Sequence, residues 1–95
     1  MTTKTHAWDA AEALDTPERI ALYLEEAFGE GDASFIAAAI GDAARAYGMT
    51  RLANDTGLAR EALYRALSIE GNPEFATVLK VLDALGVKLV PQRAA

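Results

Sequence analysis

The side chains that could do chemistry are few, mostly basic, and gathered in one stretch. Thr50-Arg51-Leu52-Ala53-Asn54-Asp55-Thr56-Gly57-Leu58-Ala59-Arg60-Glu61-Ala62-Leu63-Tyr64-Arg65-Ala66-Leu67 sets three arginines, a tyrosine and two threonines among regularly spaced apolar residues. An arginine is a planar fork of donors. It can give two parallel hydrogen bonds to guanine O6 and N7, or grip a phosphate. A tyrosine beside it can touch a phosphate or a thymine methyl. Catalytic equipment is sparse by comparison. The single histidine, His6, stands in the N-terminal tail and reads as an ordinary surface residue. Glu25 and Glu26 are adjacent, so a helix turns them about 100° apart and forces no carboxylate pair together. No Gly-rich phosphate loop and no metal-ligand spacing occur. There is no cysteine, which removes disulfides and thiolate zinc sites and fits a reducing compartment. The expectation is a binding protein without cofactor or metal, not an enzyme.

Positioning those arginines needs two short helices and a tight turn. Ala53 is a small residue where two helices would touch. Gly57, four residues on, can take positive φ at low cost. Leu58 follows it into the core, and Leu63, six after the glycine, faces back to the first helix. These coupled positions describe a helix-turn-helix over 49–68, with helices near 51–56 and 60–67. The second helix exposes Arg60, Glu61, Tyr64 and Arg65, with Ala59 at its cap; in this motif its N-terminal part enters the major groove. Thr50 and Arg51 open the preceding helix, whose free N–H groups can hold a phosphate. The competing structural reading is a plain helical hairpin with a basic, solvated face. Ala66 stands where a branched aliphatic residue is usual, and Leu67 beside it can fill that space.

The remaining elements follow from caps and periodicity. Thr16-Pro17 is a helix start. Ile20, Tyr23, Leu24, Ala27 and Phe28 then make one apolar face, and Gly29 and Gly31 end the helix. Trp8, Ala11 and Leu14 suggest a short turn ahead of it. Asp32 caps a helix over 33–47 whose stripe is Ile36, Ile40, Ala43 and Tyr47, flanked by Phe35 and Ala39. Gly41 within it signals a close helix contact. Gly71-Asn72-Pro73 predicts a turn, a cap and a first-position proline. A last helix follows over 74–85 with Phe75, Val78, Leu79, Leu82 and Leu85 inward. Val87-Lys88-Leu89-Val90 alternates as a short strand would. The chain reads as one all-α domain over 1–95: helices in 16–48, the helix-turn-helix, then the last helix and C-terminal segment in 73–90.

Charge divides the chain. The net charge is −5, yet residues 1–48 carry three basic and nine acidic residues, whereas residues 49–95 carry six basic and five acidic. Two surfaces for two kinds of partner are implied. No apolar run approaches the ~18 residues of a membrane span, and the N-terminus lacks a signal pattern, so a cytoplasmic protein is expected.

One group of words resembles a known family, the addiction-module antidote proteins. The words are Gly48-Met49-Thr50, Leu52-Ala53, Thr56-Gly57-Leu58, Arg60-Glu61 with Leu63-Tyr64, Ala66-Leu67-Ser68, Glu70-Gly71-Asn72-Pro73, Thr77-Val78-Leu79-Lys80-Val81-Leu82 and Ala84-Leu85-Gly86. Looser matches are Tyr23-Leu24-Glu25-Glu26-Ala27, Gly31-Asp32 and Ala38-Ala39-Ile40-Gly41-Asp42. The chain has Ile40 where leucine is commoner, and Ala59 where serine often caps. The resemblance implies a HigA-like antitoxin with a lambda-repressor-like (Cro-type) DNA-binding domain and an extra N-terminal helix. It implies an antitoxin that neutralises a RelE-like ribonuclease toxin and represses its own operon on double-stranded promoter DNA. A basic toxin would meet the acidic half through Trp8, Glu18, Glu25 and Glu26. A homodimer would form through the last helix and Val87, Leu89 and Val90, unless these fold back on their own core. The alternatives are a stand-alone or phage-type repressor with no toxin, and a protein-binding module that no longer holds DNA.

Overall fold

The computed structural model describes residues 13–68 and 70–94. Trp8 and Ala11 lie outside the described residues. Five helices follow one another among those described: α1 Pro17–Glu30, α2 Ala33–Tyr47, α3 Met49–Thr56, α4 Arg60–Ala66 and α5 Phe75–Ala84.

The first two helices start where their caps require. The Thr16 side chain accepts from the Arg19 N–H at 3.1 Å, and Pro17 takes the first helical position. The Asp32 carboxylate accepts from the Phe35 N–H at 3.0 Å. Each cap satisfies a backbone donor that the helix cannot, an effect of about 1 kcal/mol. Gly31 ends α1; Gly29, expected to help stop it, lies inside the helix.

The α1 face is as the period predicts, with Ile20, Leu24 and Ala27 buried and Tyr23 and Phe28 half-buried against the core. In α2 every residue from Ala39 to Ala44 is buried. A helix covered all round is a central helix, and small residues let its neighbours approach. Phe35, expected beside the stripe, is instead exposed. Asp42 is the polar residue of the buried set. It accepts from the Tyr23 hydroxyl at 2.6 Å and from the Arg45 guanidinium, so α1 is tied to α2 by a satisfied carboxylate. Burial, and then the bond to Asp42, push the Tyr23 hydroxyl pKa above its ordinary 10.0.

Helix α3 packs on α2, α4 and α5. Its Leu52 is fully buried, as are Leu24, Ile40, Leu63, Leu82 and Val81 from the other four helices. Each such large side chain stabilises the fold by roughly 1.5–3 kcal/mol relative to exposure.

Three features of the C-terminal part correct the sequence reading. Pro73 is not the first helical residue: the chain stays extended through Glu74, and α5 begins at Phe75 without a side-chain cap. Gly71 explains this. A Cβ there would sit 2.2 Å from the Ala66 carbonyl oxygen, so the segment is pressed against the end of α4 before it can turn into a helix. Phe75 and Leu79, expected inward, are exposed; the inward face is Val78, Val81, Leu82 and Leu85. No strand forms among the described residues. Val87 donates its N–H to the Leu82 carbonyl at 2.9 Å and packs on its own core, whereas Leu89 and Val90 stay exposed.

Gly41 generates the sharpest stability test. A Cβ at this site would lie 2.2 Å from the Leu67 carbonyl oxygen, a backbone atom that cannot swing aside. Gly41→Ala gains about 1 kcal/mol of helix propensity, but overpacking costs about 1–3 kcal/mol and is expected to outweigh it against a backbone atom this close. The urea midpoint should fall. A midpoint equal to or above the parent's would show that α2 and the end of α4 are not in contact.

Candidate nucleic-acid interface

The second half of the chain sets exposed basic side chains on two short helices joined by a tightly specified turn. Helix α3 stops at Thr56 and α4 starts at Arg60, leaving three connecting residues. Gly57 has φ 76°, a conformation costly for any residue with a Cβ. Its N–H donates to the Ala53 carbonyl at 2.8 Å. The Thr56 hydroxyl fixes the turn from the other side. It donates to the Leu52 carbonyl at 2.8 Å and accepts from the Leu58 N–H at 3.2 Å. The sequence reading gave Thr56 no role.

Leu63 and Leu67 then fix the rotation of α4. Both are buried, and Leu58 packs on the same core. Leu67, beside the small Ala66, is buried in the core. With Leu63 inward, the 3.6-residue period throws Glu61 and Arg65 outward and sets Tyr64 on the flank, whereas Arg60, three before Leu63, is open because it is the first residue of the helix. All four are exposed, as are Thr50, Arg51 and Ala59. All seven sequence-predicted residues of α3, the turn and α4 are thus exposed. Ala59 supplies no side-chain cap to α4, and Gly48 supplies none to α3. Thr50 and Arg51 sit in the first turn of α3, which begins at Met49 rather than near residue 51.

The electrostatics of this face differ from the rest of the molecule. Two ion pairs occur among the described residues, Arg19–Asp15 at 3.4 Å and Arg45–Asp42, and neither uses Arg51, Arg60 or Arg65. The three arginines keep their charge open to solvent. The Arg60 guanidinium lies 5.8 Å from the Tyr64 ring centre, and that of Arg51 lies 4.1 Å from the Tyr47 ring centre. Such stacking restrains a long side chain at about 0.5–1 kcal/mol when exposed. Tyr47 also donates its hydroxyl to the Asp55 carboxylate. No group of three or more potential metal ligands gathers among the described residues. A groove of about 640 Å³ beside α4 is lined by Leu58, Arg65, Glu70, Pro73 and Thr77 among others, and is an open furrow.

The family described as "probable addiction module antidote protein" matches residues 4–93. The chain belongs to this antidote family. It is also similar to an uncharacterized protein of Haemophilus influenzae, 46% identical over 94 residues, which cover 99% of this chain and 97% of that protein. No solved structure gives a significant match.

Membership of the antidote family implies a toxin partner, and the acidic residues assigned to one have a definite place. Glu18, Glu25 and Glu26 are all exposed on α1, away from its buried face. Between them sits Leu22, 62% exposed, which the sequence reading passed over. Residues 18, 22 and 26 are one helical turn apart, so this apolar spot is framed by carboxylates. Trp8, the fourth residue assigned to the toxin, lies outside the described residues. Of the dimer residues, Val87 is half-buried in its own chain, whereas Leu89 and Val90 are exposed. Leu89 shares a groove with Leu79 of α5. The signals for Tyr47 and Asp55 could not be read beforehand, because the two lie on different helices and meet only through the bend at Gly48.

The arrangement predicts a graded DNA response in this antidote-family protein. Arg60→Ala should weaken binding to its own promoter duplex by about 1–3 kcal/mol if Arg60 touches a base. The double substitution Arg60→Ala, Arg65→Ala should abolish discrimination from a mixed-sequence duplex in a gel-shift titration. Wild-type binding by that double variant would show that α4 does not face the groove.

Proposed function

We propose that the protein is a HigA-like antitoxin of a type II toxin–antitoxin module with two working surfaces. One is a helix-turn-helix of the Cro/lambda-repressor type, formed by α3 and α4, which binds promoter DNA and represses the protein's own operon. The other is the acidic face of α1, which binds and neutralises a RelE-like ribonuclease. The observation that carries the DNA reading is that Arg51, Arg60 and Arg65 are exposed and have no carboxylate partner among the described residues, in a chain of net charge −5. Release of counterions from phosphates would drive binding there and make it fall steeply with salt. Arg60 and Arg65 would read bases or hold phosphates. Thr50, Arg51, Tyr64 and the backbone at Ala59 would fix the register, and Glu61 would stand at the groove edge. Family membership supports the toxin partner. A ribonuclease needs a basic surface to hold RNA, and Glu18, Glu25 and Glu26 would attract it, mainly by speeding encounter. Leu22 and Trp8 would supply the desolvated contact that most affinity needs.

A single such motif covers one half-site, so a dimer is part of the reading. Phe75 and Leu79 on α5, and Leu89, which shares a groove with Leu79, are exposed apolar residues that a second copy would cover, with Val90 beside Leu89 in the chain. The protomers would pair by side-chain packing, with Val87 retained in its own core. No helix among the described residues is long and apolar enough to cross a membrane; work on an operon would place the protein in the cytoplasm.

Point substitutions separate the surfaces better than truncation, because removing α1 would strip Ile20, Leu24 and Ala27 from the core. In sedimentation of the chain co-expressed with the product of the neighbouring gene, Leu22→Arg should lose the toxin and keep the dimer. Leu79→Glu should lose the dimer and keep the toxin. Toxin retained by Leu22→Arg at wild-type affinity would remove α1 from the interface. An intact Leu79→Glu dimer would remove α5 from the other.

A further inference from the structure

Arg51 and Asp55 stand one turn apart on α3, at positions i and i+4. Opposite charges at that spacing on an exposed helix face ordinarily meet. These two do not form an ion pair. Each is engaged by the same residue instead. Tyr47, the last residue of α2, is carried alongside α3 by the bend at Gly48, where φ is 110°. Its hydroxyl donates to the Asp55 carboxylate, and its ring lies 4.1 Å from the Arg51 guanidinium. The Tyr47 hydroxyl is a donor at neutral pH by its ordinary pKa of 10.0, and the bond to Asp55, then burial, raise it further against the lowering effect of the Arg51 charge.

We propose that Tyr47 is a positioning residue for DNA: its ring aims Arg51 outward, while its hydroxyl holds Asp55 away and leaves the whole Arg51 charge for a phosphate. The inference rests on the DNA-binding reading above. Without the hydroxyl, Asp55 is released to its natural i−4 partner. Arg51 then spends its charge inside the protein, and the carboxylate moves toward the approaching phosphate. The ring alone still packs, so the defect is electrostatic rather than structural.

The test is a salt titration with fluorescent duplexes, one carrying the promoter of the protein's own operon and one of mixed sequence. The full chain is compared with Tyr47→Phe, Asp55→Asn and the double variant, each checked for folding by its thermal melt. Tyr47→Phe should bind both duplexes about three- to tenfold more weakly near 0.1 M salt, with a salt slope flatter by about 1, the signature of one lost phosphate contact. Adding Asp55→Asn should restore affinity and slope, a rescue that damaged packing would not show. Asp55→Asn alone should bind at least as tightly as the parent, which keeps the idea testable even if Tyr47→Phe melts. Wild-type binding by Tyr47→Phe, failure of the rescue, or weaker binding by Asp55→Asn would overturn the role of Tyr47 while leaving the interface standing. A parent chain that binds neither duplex at any salt would overturn both.

Discussion

The rotation of α4 about its own axis is the constraint on which the functional face depends. Three contacts set it. Leu63 and Leu67 are buried on the inner edge, and the Leu67 carbonyl is pressed against α2 at Gly41, where no Cβ could fit. A turn of about 100° in one direction would put Ala62 and Ala66 where Glu61 and Arg65 now face solvent. The hydrophobic term that seats these leucines, roughly 1.5–3 kcal/mol each, exceeds anything the exposed arginines gain from the protein. Packing therefore decides where the charges point. Helix α3 completes the seat by touching α2, α4 and α5 at once.

Charge is arranged with the same economy. The buried carboxylate, Asp42, is satisfied by Tyr23 and Arg45, so its negative charge is spent on joining α1 to α2. The exposed carboxylates of α1 are left open around Leu22, and the arginines of α3 and α4 are left open on the other part of the molecule. An acidic protein can thus present a basic face, because net charge is a sum and binding is local.

Much of this was legible in the sequence. Thr16-Pro17 and Asp32 announced two helix starts, and Gly57 with Ala53, Leu58 and Leu63 announced the turn, because caps and tight turns are decided within a few residues. Gly41 was legible as a contact but not its partner, since Leu67 lies two helices further along the chain. The exposed Phe75 and Leu79 were misread as core. A periodic stripe says which residues share a side of a helix, not how far the core extends beneath it. The start of α5 was misplaced for a similar reason: Pro73 suits a first turn, but Gly71 pressed on the end of α4 delays the helix. The strand at 87–90 failed because alternation over four residues is weak, and Val87 found a nearer partner in the Leu82 carbonyl. Tyr47 and Asp55 needed three dimensions, because their meeting depends on the φ of Gly48.

The account turns on one face, α3 to α4, meeting DNA. Amide-resolved NMR of the labelled chain titrated with its own promoter duplex tests this most directly. The largest shifts should fall on Thr50, Arg51 and the run from Ala59 to Arg65, with the amides of Glu18, Glu25 and Glu26 on α1 unmoved. Shifts centred on α1, or spread evenly without a maximum on α4, would contradict the account.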